Sequence, residues 1–157
     1  MKYIIIITSL LISGITFTQF PLYKNEKQWN IGLGFNPTSI PIKLGFDQAI
    51  SNTITIGGAA SFSSFKVSGD HFATLGLSCN ANYHLGPSLN LSKTMDFYGG
   101  GSMDLYKTFG AKSGGLNGLG ISLQLGGRYA LNKKTSINIE LAAGTYLGGH
   151  IGATFRL

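Results

Sequence analysis

Three histidines, His71, His84 and His150, have the widest chemical reach in this chain, because imidazole both ligates metals and moves protons near neutral pH. A zinc or iron site needs further His, Cys or carboxylate ligands at short, regular spacing, and none accompanies these three. They fall in connections or at strand rims, and no metal or other cofactor is expected. A hydrolytic reading fares no better. Asp104 and His150 head for the same end of the molecule, but no residue stands out as their nucleophile or as the holder of an activated water, so an enzyme is not expected.

Two further features invite chemistry. The run Gly114-Gly115-Leu116-Asn117-Gly118-Leu119-Gly120 superficially resembles a phosphate-cradling loop, yet it lacks the Gly-Lys-Ser/Thr ending and a following helix, and reads as a flexible loop entering a strand. Cys79 is the only cysteine, so no intramolecular disulfide forms; on the apolar side of a strand it acts as a small hydrophobe.

What positions these residues is governed by an unusual composition. Charged residues make up 11% of the 157-residue chain and hydrophobic ones 43%, with 23 glycines. Soluble domains carry about 25% charged residues, so much of this exterior does not face water. The net charge of +6 raises the question of nucleic acid, but the twelve basic residues are scattered and lack aromatic interleaving, which excludes a nucleic-acid partner.

At the N-terminus, Lys2 precedes an apolar run from Tyr3 to Ile15, the size of a signal-peptide core and too short to span a bilayer as a helix. Thr16 and Thr18 set cleavage before Gln19, giving a signal peptide over residues 1–18 and a mature domain over 19–157. No stretch of that domain approaches 18 apolar residues, so it has no transmembrane helix.

Beyond residue 28 the dominant period is two, the period of strands. Trp29, Ile31, Leu33 and Phe35 alternate with Asn30, Gly32, Gly34 and Asn36. Seven more such segments follow: around Ile42–Asp47, Thr53–Phe62, Thr74–Tyr83, Met95–Leu105, Leu119–Tyr129, Ile137–Gly144 and Ile151–Leu157. The fifth carries Gly99-Gly100-Gly101 at its centre, which reads as a bend or bulge. Turn signals separate the segments, among them Asn36-Pro37-Thr38-Ser39, Asn132-Lys133-Lys134 and Gly148-Gly149. Longer connections run from Ser63 to Phe72, Gly86 to Thr94 and Tyr106 to Gly118. The expected fold is all-β: an eight-stranded, antiparallel, up-and-down barrel.

Alternation alone does not say which face is outside, but charge does. Lys43, Asp47, Asp96, Asp104, Arg128, Glu140 and Arg156 all share the polar face, three cations against four anions among Gly, Ser, Thr and Asn. As an interior, this set forms a paired ion network; as the whole exterior of a soluble barrel it is sparsely charged. Trp29, Phe46, Tyr83, Phe97, Tyr129 and Phe155 lie on the apolar face near one rim, with Phe35 and Phe62 near the other, as the two aromatic belts of a membrane barrel do.

The chain ends on His150-Ile151-Gly152-Ala153-Thr154-Phe155-Arg156-Leu157, alternating to its last residue. With its polar position at His150, Gly152, the aromatic Phe155 and the terminal apolar Leu157, this stretch resembles the C-terminal signal read by the barrel-assembly machinery. Together with the signal peptide, the eight alternating strands and the charged interior, it makes the mature chain resemble the small eight-stranded outer-membrane barrels, the OmpX-like and OmpA-transmembrane-domain-like group, over nearly its whole length. That resemblance implies a monomer integral to the outer membrane of a Gram-negative bacterium, surrounded by outer-membrane lipid, handled by periplasmic chaperones and the assembly machinery, with both termini periplasmic. It implies a plugged interior and no reaction, leaving a structural role or surface recognition by the outer loops, chiefly Ser63 to Phe72 and Tyr106 to Gly118. The alternative is a soluble, lipocalin-like secreted or periplasmic barrel holding an apolar ligand, in which Leu77, Leu123 and Leu141 point inward.

Overall fold

The computed structural model describes residues 22–90, 92–110, 117–144 and 148–157. The expected signal peptide, residues 1–18, lies outside these. Eight antiparallel strands run in chain order around a closed barrel: β1 (Lys27–Phe35), β2 (Ile42–Ala49), β3 (Ile54–Val67), β4 (Asp70–His84), β5 (Met95–Phe109), β6 (Asn117–Ala130), β7 (Thr135–Gly144) and β8 (Gly148–Arg156). Closure is made by β8 on β1, in a register that sets Trp29 opposite Phe155 and Gly32 opposite Gly152. Leu157 extends the seam, its amide donating to the carbonyl of Lys27 at 3.0 Å. The terminal strand therefore has no free edge.

The side chains are distributed inside out. Fifteen polar or charged residues are buried among those described, against four hydrophobic ones, Leu22, Ala49, Tyr98 and Ala130. Leu119, Ile121, Leu123 and Leu125 of β6 all point outward, Leu123 with 72% of its surface exposed. Leu77 and Leu141 point outward too, at 54% and 58%. This overturns the lipocalin-like alternative, which needs all three leucines inside. An outer face so uniformly apolar is stable only against hydrocarbon.

Of the six aromatic residues expected to form one belt, three stand side by side. Trp29 stands beside Phe46 on β2 and Phe155 on β8. Its ring meets that of Phe46 edge-on at 5.0 Å. Tyr129 pairs with Met95, and Phe97 lies one step further along β5.

Four expectations about the ends and middles of strands are corrected. The segment from Ser63 to Phe72 is not a long loop: β3 and β4 continue through it, pairing Lys66 with His71 and stacking Phe65 on Phe72, and turn on Ser68 and Gly69. Both turn residues have positive φ, 52° and 93°, as the tightest hairpins with right-handed strand twist require. Likewise β5 runs on to Phe109 and β6 starts at Asn117, so the strands claim both ends of the expected Tyr106 to Gly118 loop. Gly148-Gly149 is the start of β8 rather than a turn, paired with Leu141, Ala142 and Phe35.

The fourth correction concerns Gly99-Gly100-Gly101. Register is unbroken on both sides of it, from Tyr83 opposite Gly99 to Ala81 opposite Gly101 and from Leu125 opposite Gly99 to Leu123 opposite Gly101. There is no bulge. Gly100 faces inward, and a Cβ there would collide with the Asn82 side chain and the Ala81 carbonyl. The glycine is demanded by side-chain crowding in the lumen.

One consequence of the extended hairpins is asymmetry. Strands β3 to β6 are 14 or 15 residues long, whereas β1, β2, β7 and β8 have 8 to 10. Half of the wall therefore stands taller, at the rim opposite the termini.

Candidate functional site: the lumen

The inward face of each strand supplies the lumen with one side chain every second residue. Toward the end bearing the termini these side chains meet one another. Arg128 of β6 is the centre: its Nη2 lies 3.3 Å from Asp47 Oδ2 and its Nη1 3.6 Å from Asp96 Oδ2, and its guanidinium lies 4.5 Å from the Tyr98 ring centroid. Asp47 also accepts hydrogen bonds from the amides of Gln28 at 2.8 Å, Asn30 at 2.7 Å and Asn80 at 3.4 Å. A buried carboxylate is tolerable only with such company. Nearer the mid-lumen, Glu140 receives Lys43 Nζ at 3.2 Å, the Tyr98 hydroxyl at 3.0 Å and His150 Nδ1 at 3.3 Å.

Five of the seven expected network residues are thereby brought together into two clusters: Arg128 with Asp47 and Asp96, and Lys43 with Glu140. The other two stand apart. Asp104 accepts from the hydroxyls of Ser102 at 3.0 Å and Ser122 at 3.2 Å. Arg156 lies at the terminal rim, 3.8 Å from Glu26.

Glycines determine which of these side chains meet. Three times an inward glycine on a middle strand separates two long polar side chains, which then bond across it. Asp47 and Asn80 meet over Gly57, the Gln124 amide donates to Asn82 over Gly100, and the Tyr98 hydroxyl donates to Glu140 over Gly126. In each case a Cβ on the glycine would run into one of the partners: Asp47, Asn82 or the Tyr98 ring.

Two histidines expected at rims or in connections are inside. His84 is fully buried, and His150 is nearly so. Their burial follows from phase: His84 is two residues beyond the inward Asn82, and His150 two before the inward Gly152, so the alternation itself carried the signal. His84 lies between Thr55, whose hydroxyl is 3.0 Å from Nε2, and Asp96, whose Oδ2 is 2.8 Å from Nδ1. Hydroxyl, imidazole and carboxylate thus stand in the order of a hydrolytic triad. All three are buried at 1% exposure or less, Asp96 is already committed to Arg128, and no substrate reaches the Thr55 oxygen. Each member of the array is thus engaged by a neighbour inside the barrel.

The four residues read as a terminal assembly signal also have defined settings. His150 holds Glu140, Gly152 packs closely on the Ile31 carbonyl of β1, and Phe155 and Leu157 point outward.

Beyond the Arg128 layer the lumen opens into a cavity of about 630 Å³. Its floor includes Arg128 and Tyr98, its walls Lys43, Asp104 and Glu140, and it reaches Pro37, Thr38 and Ser39 at the rim opposite the termini.

No family model and no curated protein matches this chain. Solved structures do. It superimposes on the outer membrane protein OprG from Pseudomonas aeruginosa with a TM-score of 0.66 at 10% identity, covering 86% of this chain and 97% of that one. Neisserial surface protein A gives 0.57 at 12% identity, over 84% of this chain and 94% of its own. The Yersinia pestis outer membrane protein Ail, in a phospholipid bilayer nanodisc, gives 0.56 at 11% identity over 85% and 100%. At such identities the likeness is one of backbone architecture, and the chain has the fold of the small eight-stranded outer-membrane β-barrels.

Proposed function

We propose that this protein is a non-enzymatic integral barrel of a Gram-negative outer membrane, plugged by its own side chains at the periplasmic end and presenting its opposite rim to the outside. The observation that carries the reading is the outward apolar face of all eight strands around a buried layer of paired charges. An eight-stranded barrel is about filled by its side chains, and here the Arg128 layer does the filling. The sealed Thr55–His84–Asp96 array supports the non-enzymatic reading.

Biogenesis in this reading runs through removal of residues 1–18, periplasmic chaperones and recognition of His150, Gly152, Phe155 and Leu157 by the barrel-assembly machinery. The barrel functions as a monomer. Its external surface consists of the 36–41 connection and the tall β3–β6 wall, and recognition falls to that rim.

Expression in a Gram-negative host followed by membrane fractionation tests the reading. The chain is expected in the outer membrane, with a gel mobility that changes on heating, and to pass no steady current in planar bilayers. A folded chain that remains in aqueous solution without detergent would overturn it.

A further inference from the structure

We propose that the outer half of the lumen is a binding cup for a small, hydroxyl-bearing organic cation, whose protonated amine is held by Asp104. This goes beyond the reading above and does not depend on which side of the membrane the rim faces.

The cup has the dimensions of a small-molecule site: about 630 Å³, within the range of roughly 300–1,000 Å³ usual for ligand pockets. It is blind, because the Arg128 layer closes its floor, so it retains a ligand rather than passing it on.

Its charges select the ligand. Two cationic side chains, Lys43 and Arg128, line it against three carboxylates, Asp47, Asp104 and Glu140. Asp47 is engaged by Arg128, and Glu140 by Lys43 and His150. Asp104 is the excess carboxylate: two serine hydroxyls donate to its Oδ2, and no cation forms an ion pair with it among the described residues. An anionic ligand gains little from Arg128, which already faces Asp47 and Asp96. A protonated amine at Asp104, by contrast, gains a charge-assisted hydrogen bond in a partly desolvated cup.

The rest of the wall mixes apolar residues such as Phe35, Phe65 and Leu77 with polar ones. Around Asp104 it presents short hydroxyls and amides such as Ser61, Ser78, Asn80, Ser122 and Gln124. These groups donate and accept at close spacing, which suits a ligand carrying several hydroxyls. An amino sugar or amino alcohol combines both features.

The test is calorimetric titration of the full barrel, purified from membranes in detergent, with glucosamine and with its neutral counterpart N-acetylglucosamine. Saturable binding of glucosamine is expected, with the acetylated sugar about tenfold weaker or more, as loss of one charge-assisted hydrogen bond dictates. Asp104→Asn should abolish that preference while keeping the heat-modifiable mobility of a folded barrel. Ser78→Leu, which fills the cup beside Asp104, should remove binding of both sugars, and it decides the matter if the Asn variant does not fold. Absence of glucosamine binding to the wild type, equal affinity for the two sugars, a folded Asp104→Asn barrel with unchanged preference, or a Ser78→Leu barrel that still binds would each overturn the proposal.

Discussion

The Tyr98 hydroxyl of β5 donates to Glu140 Oε2 of β7 at 3.0 Å, across the whole width of the strand between them, because that strand carries Gly126 at the crossing. Strands two apart do not ordinarily exchange side-chain bonds, since the residue between them stands in the way. A methyl group on Gly126 would meet the Tyr98 ring at Cζ and the hydroxyl. Gly126→Ala should therefore destabilise the barrel by about 1–3 kcal/mol, the usual cost of forcing extra volume into a packed site. In a Tyr98→Leu background the same substitution should cost close to nothing. Urea unfolding of the four members of this cycle in lipid vesicles measures the coupling, and additive effects would show that the glycine serves some other purpose.

The Gly99-Gly100-Gly101 run offers the same comparison within three residues. Gly100→Ala drives a Cβ into Asn82 and the Ala81 carbonyl, and should be destabilising. At Gly99 the added Cβ points outward and meets only the movable end of Leu125, at 3.2 Å, and at Gly101 the nearest atom is 3.5 Å away. Gly99→Ala and Gly101→Ala should be nearly neutral. A bulge would make all three intolerant, so the pattern of unfolding midpoints separates the two accounts.

Much of this architecture was legible in the chain, for a physical reason. A barrel with lipid outside and polar side chains inside imposes two-residue alternation wherever the strand crosses hydrocarbon, so the eight segments could be read from period, and the side each residue faces from period together with charge. Where the strands rise beyond the apolar belt the contrast disappears. Ser63-Ser64-Phe65-Lys66-Val67 lacks a clear apolar–polar alternation, and it is in strand because Lys66 and Phe65 have partners on β4, at His71 and Phe72. Partners across the lumen were the least legible. That Arg128 meets Asp47, 81 residues away, depends on register and on small residues between them. His84 is a different case, its inward phase being readable two residues after Asn82.

Removing one member of the Arg128 layer should be costly. Arg128→Met leaves Asp47 and Asp96 buried without their cation, and breaking a buried pair this way typically costs about 3–5 kcal/mol. Adding Asp47→Asn, which also removes a buried charge, should return part of that loss. Equilibrium unfolding of the single and double variants tests it; a double variant weaker than the sum of the singles would refute the pairing as a source of stability.

On the outer face the cost should depend on depth. Leu123 lies near the middle of β6, with Ala81 and Gly101 at the same level on neighbouring strands, and Leu123→Arg should cost roughly 2–4 kcal/mol as at a bilayer midplane. Met95, at the first position of β5 beside Tyr129, belongs to the rim, where Met95→Arg should cost about 0–1 kcal/mol. Equal penalties for the two would mean that the outer surface is not graded by a membrane.

Trp29 reports where that membrane begins. It is the only tryptophan in the chain, points outward with 43% of its surface exposed, and stands between Phe46 and Phe155 at the belt near the termini. An indole at that level has its ring in the acyl boundary and its N–H among the headgroups. In reconstituted vesicles its fluorescence should be quenched strongly by lipids brominated near the glycerol backbone and weakly by lipids brominated near the chain ends. Phe46→Ala, which removes the ring 5.0 Å away, should shift the emission and leave the quenching depth unchanged. If deep quenchers were the more effective, the belt would lie inside the hydrocarbon and the strands would cross the membrane one or two residue pairs further toward the terminal rim than their aromatic levels indicate.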